Sequence, residues 1–200
     1  YFQQDDGTTL KIAPDGSVAI GEWVPPAYSL DQSTLPLVGE LHVAADALGI
    51  ALSPAQAYAL QKVIVDLFPD GGWQGQVDRL LDLARDPDIA GLRPSELSSA
   101  IRLERILGAP LERAPAGTGS DFQAIGGGQT YNIVGGNVPD SRFAAELDNL
   151  KASIDKHMAM SGSGKVVVDL NGLSASNAAL LQAYAHSVPG FGSRIIILGR

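Results

Sequence analysis

The chain contains no cysteine and only three histidines, His42, His157 and His186. Without cysteine there can be no disulfide bond, no catalytic thiolate and no zinc site built on cysteine. The sequence also lacks a HExxH pair, so we expect neither a metal site nor a cofactor. No apolar run approaches the roughly 18 residues that a membrane-spanning helix requires, so we expect no stable membrane span.

Basic residues are scarce in the first part of the chain. Residues 1–115 hold 8 Lys and Arg against 16 Asp and Glu, whereas residues 116–200 hold 6 of each. An acidic surface repels nucleic acid, but a neutral domain binds it when its cations share one face. The charge therefore predicts two parts with a boundary near residue 115.

The first part is predicted to be mostly helical. Tyr1-Phe2-Gln3 looks like the remnant of a protease-site tag, and alternation around Pro14-Asp15-Gly16 predicts a hairpin over residues 8–20. Apolar residues at helical spacing then predict helices at about 37–48, 54–68, 73–85 and 94–107. No polar groups converge in these helices, so we expect no site there, and residues 108–120 are rich in Gly and Pro, which predicts a linker.

The second part has the pattern of a small mixed α/β domain. Two short strands, Asp121–Ile125 and Gln129–Val134, form a hairpin around three glycines. An amphipathic helix over 141–160 precedes the apolar strand Lys165–Leu170. A helix over 174–188 and the strand Arg194–Leu198 complete a right-handed crossover. The order ββαβαβ predicts an α+β or α/β fold with a mixed sheet and helices packed on it.

The residue with the clearest chemical potential is His157, at the edge of the apolar stripe of helix 141–160. A histidine with a pKa near 6.5 is the usual general base or acid for RNA cleavage without a metal. The alternative is a boundary histidine without function. His186, near the end of its helix, is more simply a partner of the helix dipole.

Other polar residues of this domain are candidates with structural alternatives. The Tyr131 hydroxyl could position a phosphate, although strand tyrosines are commonly packing residues. Arg194 at a strand end could clamp a phosphate or be a solubilising edge residue. Asp169 and Asn171 follow a buried strand, where active groups of parallel sheets gather, but helix capping explains them equally well. Further candidates are Asp121, Thr130, Lys151 and Lys156.

The glycine-rich segments do not form a phosphate-binding loop. Gly126-Gly127-Gly128 and Gly135-Gly136 do not open a helix directly after a buried strand, and there is no GKS or GKT motif. Ser161-Gly162-Ser163-Gly164-Lys165 precedes a strand rather than a helix. Turn geometry is the simpler interpretation, and nucleotide binding stays open as the alternative.

Three stretches together resemble a known family. They are Gly119-Ser120-Asp121-Phe122 with Gly128-Gln129-Thr130-Tyr131, then Ile154-Asp155-Lys156-His157, and Val167–Ser174 continuing to Ser193–Gly199. This region of about 80 residues resembles the C-terminal toxin domains of bacterial contact-dependent inhibition (CdiA-type) and filamentous-haemagglutinin-like proteins, in the group of tRNA nucleases. Such nucleases are often basic, and this domain is neutral.

The resemblance implies a fragment of a large secreted protein that is delivered into the cytoplasm of a neighbouring bacterium. It implies tRNA as the substrate and a cognate immunity protein as the partner. Residues 1–115 would be an uptake or pretoxin module that engages an inner-membrane receptor. The implied catalytic residues are Tyr131, His157 and Arg194, supported by Asp121 and Asp155.

Three hypotheses follow. In the first, a metal-independent ribonuclease uses His157 as base or acid, Tyr131 and Asp155 as orienting groups, and Arg194 with Lys156 to stabilise the phosphorane; Thr130, Lys151 and Asn171 bind substrate. In the second, the toxin consumes a nucleotide such as NAD. In the third, the chain is a non-enzymatic module whose acidic half binds a basic partner.

Overall fold

The computed structural model describes residues 2–3, 8–12, 18–22, 35–89, 91–136, 138–160 and 164–199. The chain forms two compact units, residues 1–61 and 62–200. Over the described ranges, no helix combines the length and the hydropathy needed to cross a membrane.

The first unit contains a small antiparallel sheet and the first helices. Strand β2 (Thr8–Ile12) pairs with β3 (Val18–Glu22), which is the predicted hairpin, and β1 (Phe2–Gln3) pairs with β2. The predicted turn Pro14-Asp15-Gly16 lies outside the described residues. Helix α1 spans Leu35–Ala47 and α2 spans Pro54–Leu67, with the unit boundary inside α2. Ser53 and Gln56 cap α2 reciprocally, each backbone N–H donating to the other's side chain.

The second unit carries the larger sheet and the remaining helices. A short antiparallel pair of strands, Arg85–Asp86 and Gly91–Leu92, joins the helices Val77–Ala84 and Pro94–Leu107. The elements in chain order are α3 (Val77–Ala84), β4 (Arg85–Asp86), β5 (Gly91–Leu92), α4 (Pro94–Leu107), β6 (Leu111–Arg113), β7 (Phe122–Ala124), β8 (Thr130–Gly135), α5 (Phe143–Ala159), β9 (Lys165–Asp169), α6 (Ala175–Ser187), α7 (Phe191–Arg194) and β10 (Ile195–Leu198).

The five-stranded sheet has the order β10-β9-β8-β7-β6. Strands β8, β9 and β10 are parallel to one another, and β7 runs antiparallel to both of its neighbours, β8 and β6. The ββαβαβ order and the mixed sheet are therefore confirmed. The linker predicted over residues 108–120 is wrong in its middle, because Leu111–Arg113 form β6 and pair with β7. The segment before residue 116 thus supplies an edge strand of the sheet.

The two faces of the sheet are covered by different helices. Helices α5 and α6 pack on one face, where Val134, Val166 and Val168 meet Leu150 and Ile154 in a buried core. On the other face, α3 contacts β6 and α4 contacts β10. The buried apolar residues of α3 and α4 are Val77, Leu80, Leu81, Leu83, Leu97, Ala100, Ile101 and Leu103. Residues on both sides of position 115 therefore belong to one sheet-centred unit.

Two element boundaries differ from the sequence prediction. Helix α3 begins at Val77 rather than near residue 73, because Gly75 adopts a left-handed φ of 74° that a helix does not accommodate. Arg194 was expected to open the last strand, but it ends the short helix α7 instead. Its side chain is consequently directed by a helical turn and not by the strand.

Gly136 should tolerate no larger residue. It has a φ of 74°, and a Cβ there would lie 2.7 Å from Ser99 Oγ and 2.9 Å from Asp169 Oδ2. We expect Gly136→Ala to lower the free energy of unfolding by more than about 2 kcal/mol, through backbone strain and crowding together. The measurement is urea denaturation followed by circular dichroism.

Gly172 provides the matched control for this substitution. It has a similar φ of 83°, but a Cβ there meets nothing within 4 Å. Gly172→Ala should therefore introduce only the backbone strain of a positive φ, and lower the free energy of unfolding by about 1 kcal/mol. Equal losses at the two positions would contradict the close approach of Gly136 to Ser99 and Asp169.

Candidate functional site

His157 lies in the last turn of α5, three residues after the fully buried Ile154. Its side chain is half-buried, and its Nδ1 is enclosed without a hydrogen-bond partner among the described residues. Burial lowers the pKa of His157 below its usual 6.5, and the positive charge of Lys156 lowers it further. The neutral imidazole, the form that accepts a proton, therefore predominates at pH 7.

Arg194 lies beside His157 but uses its guanidinium on the backbone. Nη1 donates to Met158 O at 2.7 Å, and Nη2 donates to the carbonyl oxygens of His157 and Met160, each at 3.4 Å. Nε and Nη2 also donate to Gly164 O, at 3.4 and 3.3 Å. The last carbonyls of a helix have no partner within it. Arg194 therefore caps α5 and fixes the turn that carries His157.

Strand β8 brings two polar side chains to the same end of the sheet. Thr130 Oγ1 lies 2.9 Å from the point where a Cβ of Gly164 would be, and Asn132 Nδ2 lies 3.8 Å from it. Asn132 is 5% exposed, and its Oδ1 has no hydrogen-bond partner among the described residues. Because Gly164 also accepts from Arg194, these residues surround one point at the amino ends of β8, β9 and β10. We call Thr130, Asn132, Gly164 and Arg194, together with His157, whose backbone carbonyl accepts from Arg194, the amino-edge cluster.

The side chain of Tyr131 is packed in the interior of the second unit. It is 5% exposed and pairs across the sheet with Phe122 on β7 and Lys165 on β9. Burial raises the pKa of its hydroxyl. Its side chain points to the opposite face from the neighbouring Thr130 and Asn132, because side chains alternate along a strand. A phosphate-positioning role for Tyr131 stays a prediction.

Asp121 belongs to a different polar group. Its Oδ2 accepts from the backbone N–H of Ile133 at 2.6 Å, and its carboxylate lies near Glu96, which accepts from Arg113 Nη1 at 2.6 Å. Burial raises the pKa of both carboxyl groups, and repulsion from Asp121 adds to the increase at Glu96. These partners come from α4, β6 and β8 and not from α5, so the structure does not bring Asp121 to His157.

Asp155 and Lys151 both meet Tyr184 of α6. The Tyr184 hydroxyl donates to Asp155 Oδ2 at 2.7 Å, and Lys151 Nζ lies 5.6 Å from the centre of the Tyr184 ring. Residues two apart on a helix do not face each other. Asp155 therefore points away from His157, and the roles predicted for Asp155 and Lys151 stay predictions.

Asn171 lies at the other end of the parallel strands, after β9. With its amide oxygen facing Arg102, it accepts from Nη1 at 2.8 Å and Nη2 at 3.0 Å. Asp169 is fully buried beside it and accepts from Ser99 Oγ at 2.5 Å. We call Ser99, Arg102, Asp169 and Asn171 the carboxyl-edge cluster.

Three residues of these clusters, Ser99, Arg102 and Asn132, were not predicted from the sequence. The prediction that no polar groups converge in the first four helices is wrong, because Ser99 and Arg102 of α4 both reach Asp169. Their spacing of three on a helix was the available signal. Asn132 was detectable as a polar residue at an inward position of β8, on the same face as Val134.

Within the described residues, no three His, Asp or Glu side chains gather closely enough to hold a metal ion.

Replacing Arg194 should weaken the fold around His157. We expect Arg194→Gln to lower the free energy of unfolding by about 1 to 3 kcal/mol, because the α5 carbonyls lose their donors. The control is Arg142→Gln, whose side chain is 70% exposed and pairs with Glu146 at 3.0 Å. That exposed pair should contribute no more than about 0.5 kcal/mol. Equal effects in urea denaturation would contradict the capping role.

Comparison with known proteins gives one structural similarity. No protein-family model and no curated protein sequence matches the chain. A solved structure described as "CdiA-CT toxin from Burkholderia pseudomallei E479 in complex with cognate CdiI immunity protein" aligns with 54% of this chain and 100% of its own, at 27% identity and a TM-score of 0.45. This chain is similar to a CdiA-CT toxin. That protein was solved with its immunity protein bound.

Proposed function

We propose that this chain is a toxin that cleaves RNA, with tRNA as its substrate, by metal-independent transesterification. The observation that carries the proposal is the imidazole of His157, which is half-buried and neutral at pH 7; because its Nδ1 is enclosed, Nε2 is the nitrogen that would take the proton. Its turn of α5 is held by Arg194, which also donates to Gly164 beside Thr130 and Asn132. The resemblance of the surrounding motifs to contact-dependent inhibition toxins supports the same conclusion.

The reaction needs a proton acceptor and a positive charge. The neutral imidazole of His157 takes the proton of the ribose 2′-hydroxyl, and the 2′-oxygen then attacks the adjacent phosphorus. The bond from phosphorus to the 5′-oxygen breaks, and the imidazolium returns its proton to that oxygen. The products are a 2′,3′-cyclic phosphate and a free 5′-hydroxyl.

Positive charge for the phosphorane comes from Lys156, which is exposed and close enough to His157 to lower its pKa. Arg194 contributes by holding the end of α5, since its guanidinium donates to backbone carbonyls. In this scheme Arg194 is a positioning residue, and Thr130 and Asn132 are the polar groups nearest the reacting phosphate.

The biological setting proposed here follows the sequence resemblance. The toxin is released from a large secreted protein and acts in the cytoplasm of a neighbouring bacterium. The producing cell is protected by a cognate immunity protein. Residues before the sheet-centred unit serve in uptake, through a receptor of the inner membrane.

The test is incubation of the purified chain with bacterial tRNA in the presence of EDTA, followed by a denaturing gel. We expect discrete fragments that end in a 2′,3′-cyclic phosphate. The His157→Ala chain should lose this cleavage. Its matched control is the His42→Ala chain, because His42 is an exposed histidine of α1. It should cleave like the unaltered chain.

Other outcomes would favour the competing functions. Intact tRNA together with loss of NAD in cells that express the chain would indicate a nucleotide-consuming toxin. Intact tRNA, intact NAD and normal growth would indicate a non-enzymatic interaction module. Cleavage that stops on addition of EDTA would contradict the metal-independent step.

A further inference from the structure

Helix α4 carries a row of polar residues across the sheet. Glu96, Ser99 and Arg102 are spaced by three and share one face of the helix. Glu96 pairs with Arg113 of β6, whereas Ser99 and Arg102 reach the end of β9. The guanidinium of Arg102 therefore lies at the carboxyl ends of the parallel strands. Ligands of open α/β sheets bind at that end.

The buried carboxylate of Asp169 organises this end of the sheet. Asp169 is fully buried at the end of β9, and it accepts from Ser99 Oγ at 2.5 Å and from the backbone N–H of Asn171 at 2.9 Å. Arg102 Nη1 lies 3.7 Å from its Oδ2. A buried ion pair contributes little net stability compared with apolar residues of the same volume. Stability alone therefore does not account for this arrangement.

Arg102 is held from two sides and still reaches solvent. Asp169 lies on one side of its guanidinium, and the Asn171 amide oxygen accepts two hydrogen bonds at 2.8 and 3.0 Å on the other. Its side chain remains 26% exposed. A guanidinium has five N–H donors, so these contacts leave donors available. A fixed and partly exposed guanidinium is suited to bidentate contact with a phosphate.

The backbone of Gly135 and Gly136, at the end of β8, packs closely against Asp169. Gly136 N–H donates to Asp169 O at 3.2 Å, and Cβ atoms at Gly135 or Gly136 would collide with Asp169. Two glycines therefore let the β8–α5 loop lie against the cluster. Ser99 and Asp169 are thus fully buried, whereas Arg102 and Asn171 remain partly exposed.

We propose that Arg102 binds a phosphate of the RNA substrate, with Asn171 and Asp169 as its positioning residues. The inference rests on the proposed function and names a second contact with the same substrate. Lys165 and Asp169 are four residues apart along β9, so the carboxyl-edge cluster lies roughly 13 Å along the strands from the amino-edge cluster. The two clusters also lie on opposite faces of the sheet, because Asn132 shares the α5 face with Val134 whereas Asp169 contacts Ser99 of α4. Arg102 therefore acts on a phosphate away from the cleaved bond, so it contributes to KM and not to kcat.

The first experiment measures phosphate binding without any reference to cleavage. Inorganic phosphate at 50 mM should raise the Tm of the full chain by about 3 °C over chloride of equal ionic strength. The double variant Arg102→Gln, Asp169→Asn removes both charges and keeps hydrogen-bonding side chains, and it should lose this increase. Arg85→Gln changes an exposed arginine and should keep it. No increase in the unaltered chain, or an equal increase in the double variant, overturns the proposal.

The second experiment uses Asn171→Ala, which keeps the Arg102–Asp169 pair and so remains informative if the double variant fails to fold. It should weaken the response to inorganic phosphate and raise KM for tRNA about 10-fold, with kcat within twofold. An unchanged phosphate response, or a loss confined to kcat, overturns the proposal. A chain that binds phosphate through Arg102 but leaves tRNA intact would refute the ribonuclease and not the phosphate contact.

Discussion

The His157→Ala chain should cleave tRNA about 10² to 10⁴ times more slowly than the unaltered chain, which is the usual contribution of a general base. The physical reason is the loss of the one imidazole that is neutral, half-buried and unpaired at Nδ1 among the described residues. The measurement is the initial rate of fragment formation with end-labelled tRNA at pH 7. Growth arrest on expression should disappear in parallel.

The pH dependence of the same reaction gives an independent check. The pKa of His157 lies below 6.5 because burial and Lys156 disfavour the imidazolium. The proton-accepting form is therefore lost only as pH falls through this lowered pKa. We expect kcat/KM to be nearly constant around pH 7 and to decrease on the acid side. A Lys156→Gln chain should shift the decrease toward higher pH, since the repelling charge is gone.

Stability decides how the His157 result is interpreted. The side chain is at the edge of the core and its Nδ1 has no partner among the described residues, so His157→Ala should change the Tm by only a few degrees. A variant that remains fully active would refute His157 as the base. A variant that loses its cooperative unfolding would leave the pH profile as the deciding measurement, and a profile with no decrease on the acid side would refute the same role.

Residues 116–200 expressed alone should fail to fold cooperatively, whereas residues 62–200 should fold. Cutting at residue 115 removes β6 and the helices α3 and α4. One face of the sheet then exposes Phe122, Val167 and Leu198, each no more than 1% exposed in the chain. Burying a large apolar side chain contributes about 1.5 to 3 kcal/mol to the free energy of unfolding. Exposing three of them therefore removes an amount comparable to the whole net stability of a small domain, about 5 to 15 kcal/mol.

The truncation is measured by thermal unfolding and by proteolysis of both fragments. The fragment 62–200 keeps both faces of the sheet covered and provides the matched control. A cooperative transition in fragment 116–200 would mean that α5 and α6 alone stabilise the sheet. Toxicity assays on a fragment that starts at residue 116 should therefore use the longer fragment as well, because loss of activity in the shorter one would report unfolding.

Periodic segments of the second unit were predictable from the sequence, and isolated short ones were not. The apolar stripe of α5 and the continuous apolar runs of β9 and β10 specify their elements locally. Strand β6 has only three residues and lies between Pro110 and Pro115, and its existence depends on pairing with β7. Such a strand has no local signal, so its segment resembled a linker.

The candidate site was predictable in its residue types and not in its grouping. Arg194 links the backbone of His157 to Gly164 beside Thr130, whereas a common catalytic role for the three residues stays a prediction. Asp155 does not join them, because its position on α5 directs it to Tyr184. Arg102 was missed since its partner Asp169 is distant in the sequence and only tertiary folding reveals the pair.

The cap that Arg194 places on α5 has a consequence for the time course of synthesis. The helix turn with His157 is complete only when Arg194 has been made, and Arg194 follows the last residue of α5, Ala159, by 35 residues. Chains fold from the amino terminus during translation. The turn that carries His157 is therefore secured only after Arg194 has been translated and has docked against the carbonyls of Met158 and Gly164.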